Sequence, residues 1–100
     1  MIPSAVRIFV CSEPQDMRRS FDTLSLVVKD YLGEDPRSGA LFCFVNKRHN
    51  RLKVLWFDGN GMCILYKRIH GARFVLPDRR EINTRELTFV LRGVKKDPDR

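Results

Sequence analysis

One hundred residues, 43% of them hydrophobic, suffice for one domain with its own core and leave no room for a second. Nineteen basic residues against twelve acidic give a net charge of +7, which bears on what the chain associates with rather than on how it folds. The longest apolar run is far short of a membrane span, and Cys11, Cys43 and Cys63 have no zinc-ligand spacing, so a transmembrane chain and a zinc module are both excluded. Taken in order, Val6 to Cys11 reads as a first strand, with Val6, Ile8 and Val10 on one face. Pro14 and Asp16 open a helix that runs to about Leu32. Its stripe of Met17, Phe21, Leu24, Val28 and Leu32 has the three-to-four spacing of a core face, and Gly33 is its stop. A Pro/Gly-bracketed loop, Glu34 to Gly39, leads to a short apolar strand, Leu41 to Val45.

Asn46 to Arg51 is a polar connection. Leu52 to Phe57 and Met62 to Ile69 then form a hairpin around Asp58-Gly59-Asn60-Gly61, a turn rich in residues that tolerate positive φ. After the His70-Gly71 turn, Arg73 to Leu76 reads as a last strand ended by Pro77, and a basic loop follows. Asn83-Thr84-Arg85-Glu86 is a capping box for a final helix bearing Leu87, Val90 and Leu91, with Gly93 at its end. The domain is expected over residues 1–94, with 95–100 as a charged, flexible tail. The order β-α-β-β-β-(β)-α predicts an α+β fold: a mostly antiparallel sheet of about four or five strands with two helices packed against one face. The middle strands are apolar on both faces, so the second face is expected to be partly covered or to serve as an interface.

The charge excess is local. From Arg37 to Arg80 there are ten basic residues and two acids, Asp58 and Asp78, so this stretch carries +8. Lys and Arg at both ends of the hairpin, Lys47, Arg48, Arg51 and Lys53 at one and Lys67 and Arg68 at the other, form a cationic rim suited to the phosphate backbone of a nucleic acid. Arg73 adds to it, and Arg18 and Arg19 read as further phosphate or partner contacts. Trp56, Phe57 and Tyr66 read first as core. Neighbours in a strand point to opposite faces, so Trp56 is kept as the candidate for stacking on a base.

Catalytic chemistry finds little support. Asp16 reads as a helix cap and Asp22 as an ion-pair partner of Arg18 or Arg19. His49 and His70 sit in polar turns with no acid or cysteine beside them. Gly59 and Gly61 precede a strand rather than a helix, so they are hairpin geometry and not a phosphate loop. No cofactor and no metal are expected. The three cysteines read as reduced, buried packing residues, and the Ile2-Pro3-Ser4 start lacks the pattern of a signal peptide, so the expectation is a cytoplasmic protein, at the nucleoid if it holds DNA.

Five segments occur in a characteristic order: Asp16-Met17-Arg18-Arg19-Ser20-Phe21-Asp22-Thr23-Leu24; Asp35-Pro36-Arg37-Ser38-Gly39-Ala40-Leu41-Phe42-Cys43-Phe44; Lys53-Val54-Leu55-Trp56-Phe57-Asp58-Gly59-Asn60-Gly61; Tyr66-Lys67-Arg68-Ile69; and Gly71-Ala72-Arg73-Phe74. Together, with the length and the Ile2-Pro3 start, they resemble the TnpB-type accessory protein encoded by the second open reading frame of the insertion sequence sixty-six family. Thr23 stands where that family commonly has glycine, and Phe57 and Leu76 stand where tryptophan is frequent. The resemblance implies a non-enzymatic accessory role in moving a bacterial element, alongside a separate DDE-type transposase that carries the catalytic acids. It implies two partners, DNA and that transposase. The alternative is a protein-interaction subunit of the same complex that does not touch nucleic acid, and a DNA-cutting enzyme is a distant third.

Overall fold

Strand alternation sorts the apolar side chains onto two faces of one sheet, and each face receives its own helix. The computed structural model describes residues 6–96. The Ile2-Pro3 start and positions 97–100 of the expected tail lie outside the described residues. The elements are β1 (Ile8–Val10), α1 (Phe21–Val27), which continues into a π-helical turn (Val28–Leu32), then β2 (Leu41–Val45), β3 (Arg51–Phe57), β4 (Met62–Arg68), β5 (Ala72–Arg73), β6 (Glu81–Ile82), α2 (Thr84–Arg92) and β7 (Val94–Lys95). A five-stranded sheet runs β4-β3-β2-β1-β6, and β5 pairs with β7 in a separate two-stranded sheet. The fold is α+β with mostly antiparallel pairing, as the element order predicts.

On one face, Phe9, Phe42, Phe44 and Leu55 pack against Leu24, Val28 and Leu32 of the first helical segment. On the other, Ile8, Val10, Cys43, Leu52 and Val54 pack against Leu87 and Val90 of α2, with Phe74 and Ile82 filling the flank. The expectation of both helices on one face is therefore corrected. A sheet whose central strand β2 is buried at all five positions needs a cover on each side. The chain supplies them from two places. α1 lies between β1 and β2 and makes their pairing parallel, because a parallel pair needs a crossover. α2 follows the last sheet strand.

Local chemistry explains the boundaries. The first helix starts at Phe21, not at Asp16. Asp16 instead closes a turn ahead of it, its Oδ1 accepting the Arg18 amide at 2.8 Å and its carbonyl accepting the Arg19 amide at 3.1 Å. At the helix start, the Ser20 amide donates to Thr23 Oγ1 at 3.0 Å. Gly33 ends the segment in the left-handed region at φ +66°, as predicted. The capping box of α2 forms as read: the Glu86 amide donates to Asn83 Oδ1 at 2.8 Å, and the Asn83 amide donates to Glu86 Oε1 at 3.0 Å. Gly93 ends α2 at φ +78°, where other residues are strained, and a Cβ there would crowd the Ile69 side chain and come within 3.2 Å of the Arg73 carbonyl, so glycine suits the close pass of the helix end against β5.

Three pieces differ from expectation. The basic loop holds β6, which pairs with β1 and is fastened by a two-pronged Arg7–Glu81 contact at 2.8 and 3.0 Å. The strand expected at Arg73 to Leu76 is Ala72–Arg73. Its partner is Val94–Lys95, so Lys95, placed in the tail by its charge, is part of a strand.

Phe42 is fully buried and stacks on Phe9 with ring centroids 5.6 Å apart. Phe42→Ala should lower unfolding stability by about 3–5 kcal/mol, read from urea denaturation. An unchanged midpoint would contradict a core centred on β2.

Candidate polyanion interface

The β3–β4 hairpin brings two ends of the sequence to one place. Arg51 pairs with Arg68 and Leu52 with Lys67 at the open end, while Phe57 and Met62 flank the turn at the other. The phase of the ladder is fixed by the Ile69 amide bonding to the Asn50 carbonyl (2.9 Å) and the Asp58 amide bonding to that of Gly61 (3.0 Å). Pairs in step with those exchange hydrogen bonds, so Arg51 and Arg68 form a pair of the other, closer kind. Two guanidiniums thus start from directly opposed positions on the α1 face of the sheet. Like charges so placed destabilise a sheet. Four ion pairs form among the described residues, and they involve Arg7, Arg18, Arg79 and Arg80; neither Arg51 nor Arg68 takes part. Arg51 donates instead to the Tyr66 hydroxyl at 3.0 Å, and Arg68 Nε to His70 Nε2 at 3.4 Å.

Three further segments meet this end. In the β2–β3 turn, Asn46 Oδ1 accepts the amides of Asn50 (3.1 Å) and Arg51 (3.0 Å), while His49 adopts φ +57°; Lys47 and Arg48 are left exposed at the tip. Phe74 is bound to that turn, its amide donating to the His49 carbonyl at 2.7 Å, which fixes exposed Arg73 beside it. The β5–β7 pairing and the Lys96 amide bonding to the Gly71 carbonyl fasten Lys95 and Lys96 to the same segment. The loop before α1 closes the other side. Gln15, Asp16 and Met17 line a shallow cleft of about 450 Å³ with Asn46, Lys47, Arg48 and Arg51. The Arg18 guanidinium and amide hold the Asp16 carboxyl down at about 2, so its charge persists through the ordinary carboxylate range and is lost only as pH falls through about 2. Arg19 donates to Gln15 Oε1 at 3.1 Å.

Of the cations marked in the sequence, Arg18, Arg19, Lys47, Arg48, Arg51, Arg68 and Arg73 gather here. Lys53 and Lys67 do not face outward with them. Lys53 is only 6% exposed, and its ammonium donates to the Arg19 carbonyl at 2.6 Å. Lys67 Nζ donates to the Leu91 carbonyl at 2.6 Å, at the negative end of α2. Both cations serve the fold by satisfying main-chain oxygens. Asp22 is likewise not the acid that meets Arg18; Asp16 is, at 2.6 Å.

The aromatic residue in the basic corner is Tyr66, not Trp56. Trp56 points to the α2 face and lines an apolar groove of about 430 Å³ with Val54, Leu65, Leu87 and Leu91. Tyr66 shares the α1 face with Arg51 and Arg68, is 49% exposed, and lies over the Lys53 ammonium at 4.8 Å from its ring centroid. The signal was present in the sequence: positions 66 and 68 alternate onto one face, which couples Tyr66 to Arg68 and separates both from Lys67. Among the described residues, no group of three or more His, Cys, Asp or Glu side chains is placed to hold a metal. Burial pushes the Cys43 thiol up to about 12.

Two substitutions separate the cations of the fold from those of the surface. Arg68→Gln should raise stability by about 0.2–1 kcal/mol by relieving the opposed charges. Lys53→Met, which keeps the stem but strands a carbonyl, should cost about 1–3 kcal/mol. Equal effects of the two in thermal and urea unfolding would contradict the assignment.

Comparison with known proteins places the chain. The model of the family described as IS66 Orf2 like protein matches residues 6–100. An uncharacterized protein of Sinorhizobium fredii, y4hO, is 36% identical over 100 aligned positions covering 94% of this chain and 87% of the relative. A second from that organism, y4jC, is 36% identical over 72 positions, covering 72% of this chain and 62% of the relative. No solved structure matches. Among the described residues no helix is long and apolar enough to cross a membrane. By the extent of the family match, the chain belongs to the IS66 Orf2-like family, which implies an accessory role in transposition.

Proposed function

We propose that this protein is a non-catalytic accessory factor that holds transposon DNA by its backbone, in the company of the element's separate DDE-type transposase, in the bacterial cytoplasm. One observation carries the reading. Arg19, Lys47, Arg48, Arg51, Arg68 and Arg73, drawn from four separate segments, meet at one end of the sheet, and none has a carboxylate partner in the ion pairs of the described residues. Opposed arginines weaken the fold, so a polyanion that neutralises them recovers in the complex what the free protein lacks. Contacts of this kind bind phosphates irrespective of base sequence and set the position of the protein on its substrate.

The salt dependence of binding is the test. If those six side chains each neutralise one phosphate of a duplex, log K should fall against log salt with a slope near −5 in a fluorescence titration. Replacing Arg48 and Arg68 with Gln should shallow that slope by about two. A salt-insensitive complex, or no binding at about 50 mM salt, would contradict the proposal. Retention of the transposase without DNA would instead favour a protein-interaction subunit.

A further inference from the structure

We infer that the Tyr66 corner is a binding site for unpaired DNA nucleotides, with the ring as a stacking platform and Arg51 and Arg68 as the clasp for the adjoining phosphate. The inference rests on the proposed DNA contact and specifies its substrate. Three observations meet at this point. First, Tyr66 stays 49% exposed although it lies on the α1 face, where Leu55 and Phe42 are fully buried. Second, the ring is fixed. The Lys53 ammonium lies 4.8 Å from its centroid, and its hydroxyl accepts from Arg51 at 3.0 Å. Lys53 is itself held by the Arg19 carbonyl at 2.6 Å, so the support beneath the ring is buried and rigid. Third, β4 is an edge strand, so among the described residues no further strand covers the side of the ring away from β3.

A fixed aromatic ring with one face supported and the other open is what a base stacks on. In a duplex, each base is already stacked and paired, and no base face is free to meet Tyr66. The same ring beside two guanidiniums therefore selects nucleotides released from pairing, at a strand end, a gap or a bubble. The closer kind of strand pair places the Cβ atoms of Arg51 and Arg68 about 4.5–5.5 Å apart. That is near enough for both guanidiniums to meet one phosphate with charge-assisted hydrogen bonds. Trp56 cannot play this part, because it sits on the opposite face among Val54, Leu87 and Leu91. Lys53 acts here as a positioning residue: it holds the ring and does not meet the ligand.

The test compares a labelled oligothymidine of about twenty nucleotides with the duplex it forms with oligoadenine, using the full chain at about 50 mM salt. The single strand should bind more tightly than the duplex. Tyr66→Ala should weaken single-strand binding about ten- to hundredfold while leaving duplex binding within about twofold. Tyr66→Phe, which keeps the ring, should stay within about threefold of the unaltered protein on the single strand. A second readout does not depend on any variant folding: an iodouridine-substituted single strand should photocross-link to the peptide that contains Tyr66. The inference is overturned if the duplex binds as tightly as the single strand, if Tyr66→Ala folds and leaves single-strand binding unchanged, or if the cross-link maps to Trp56 or to α2. Tight, salt-dependent duplex binding with no single-strand preference removes this inference alone. Failure of both nucleic acids to bind removes the proposed function with it.

Discussion

Burial of the central sheet on both faces governs the rest of the structure. Every residue of β2 is buried, and β3 is buried from Leu52 to Leu55. An ionised side chain in such a layer needs a partner or must lie where the strands emerge into water. Lys53 satisfies the first condition through the Arg19 carbonyl, and Arg51 and Arg68 satisfy the second. The concentration of charge at one end of the domain follows from this exclusion together with hairpin geometry, which returns β4 to the level at which β3 began.

Exclusion from the core explains where the cations go, but not why they lack acids. Four arginines among the described residues are paired with carboxylates: Arg7 with Glu81, Arg79 with Glu86 and Arg80 with Glu34 away from this end, and Arg18 with Asp16 beside it. Exposed pairs of this kind contribute little energy each, yet they neutralise the surface locally. The open end of the hairpin is different. Arg51 and Arg68 face each other across the ladder, and their side-chain partners are a tyrosine hydroxyl and a histidine ring. The arrangement weakens the free protein and suits it to an anionic ligand. The aromatic platform belongs to the same design, since the buried ammonium that steadies Tyr66 is bound to the loop that carries Arg19.

Features encoded by neighbouring residues were legible in the sequence. Asn83 and Glu86 announce their reciprocal cap, Gly33 its helix end, and Asp58 to Gly61 the turn, where the Asp58 carboxylate accepts the amides of Asn60 and Gly61. Features that depend on distant partners were not. Glu81-Ile82 is too short to show a period and is a strand only because β1 offers an edge. Asp16 has the composition of a cap, but its side chain is taken by Arg18. At the site, the sequence identified the basic residues but not the segregation among them. Lys53 and Arg51 have the same charge and lie two apart on one face, and the first is buried where the Arg19 carbonyl and the Tyr66 ring meet its ammonium. Trp56 was the more conspicuous aromatic, yet alternation puts it against α2 and leaves Tyr66 among the cations.

Backbone amide chemical shifts, recorded as unlabelled DNA is added to isotopically labelled protein, test most directly whether this end of the sheet is the polyanion interface. The largest perturbations should fall on Lys47 to Arg51, Tyr66 to Arg73 and Arg18 to Arg19, with Asp58 to Gly61 at the far end of the hairpin unmoved. Perturbations centred instead on the hairpin turn, or on the apolar groove between Trp56 and α2, would contradict it.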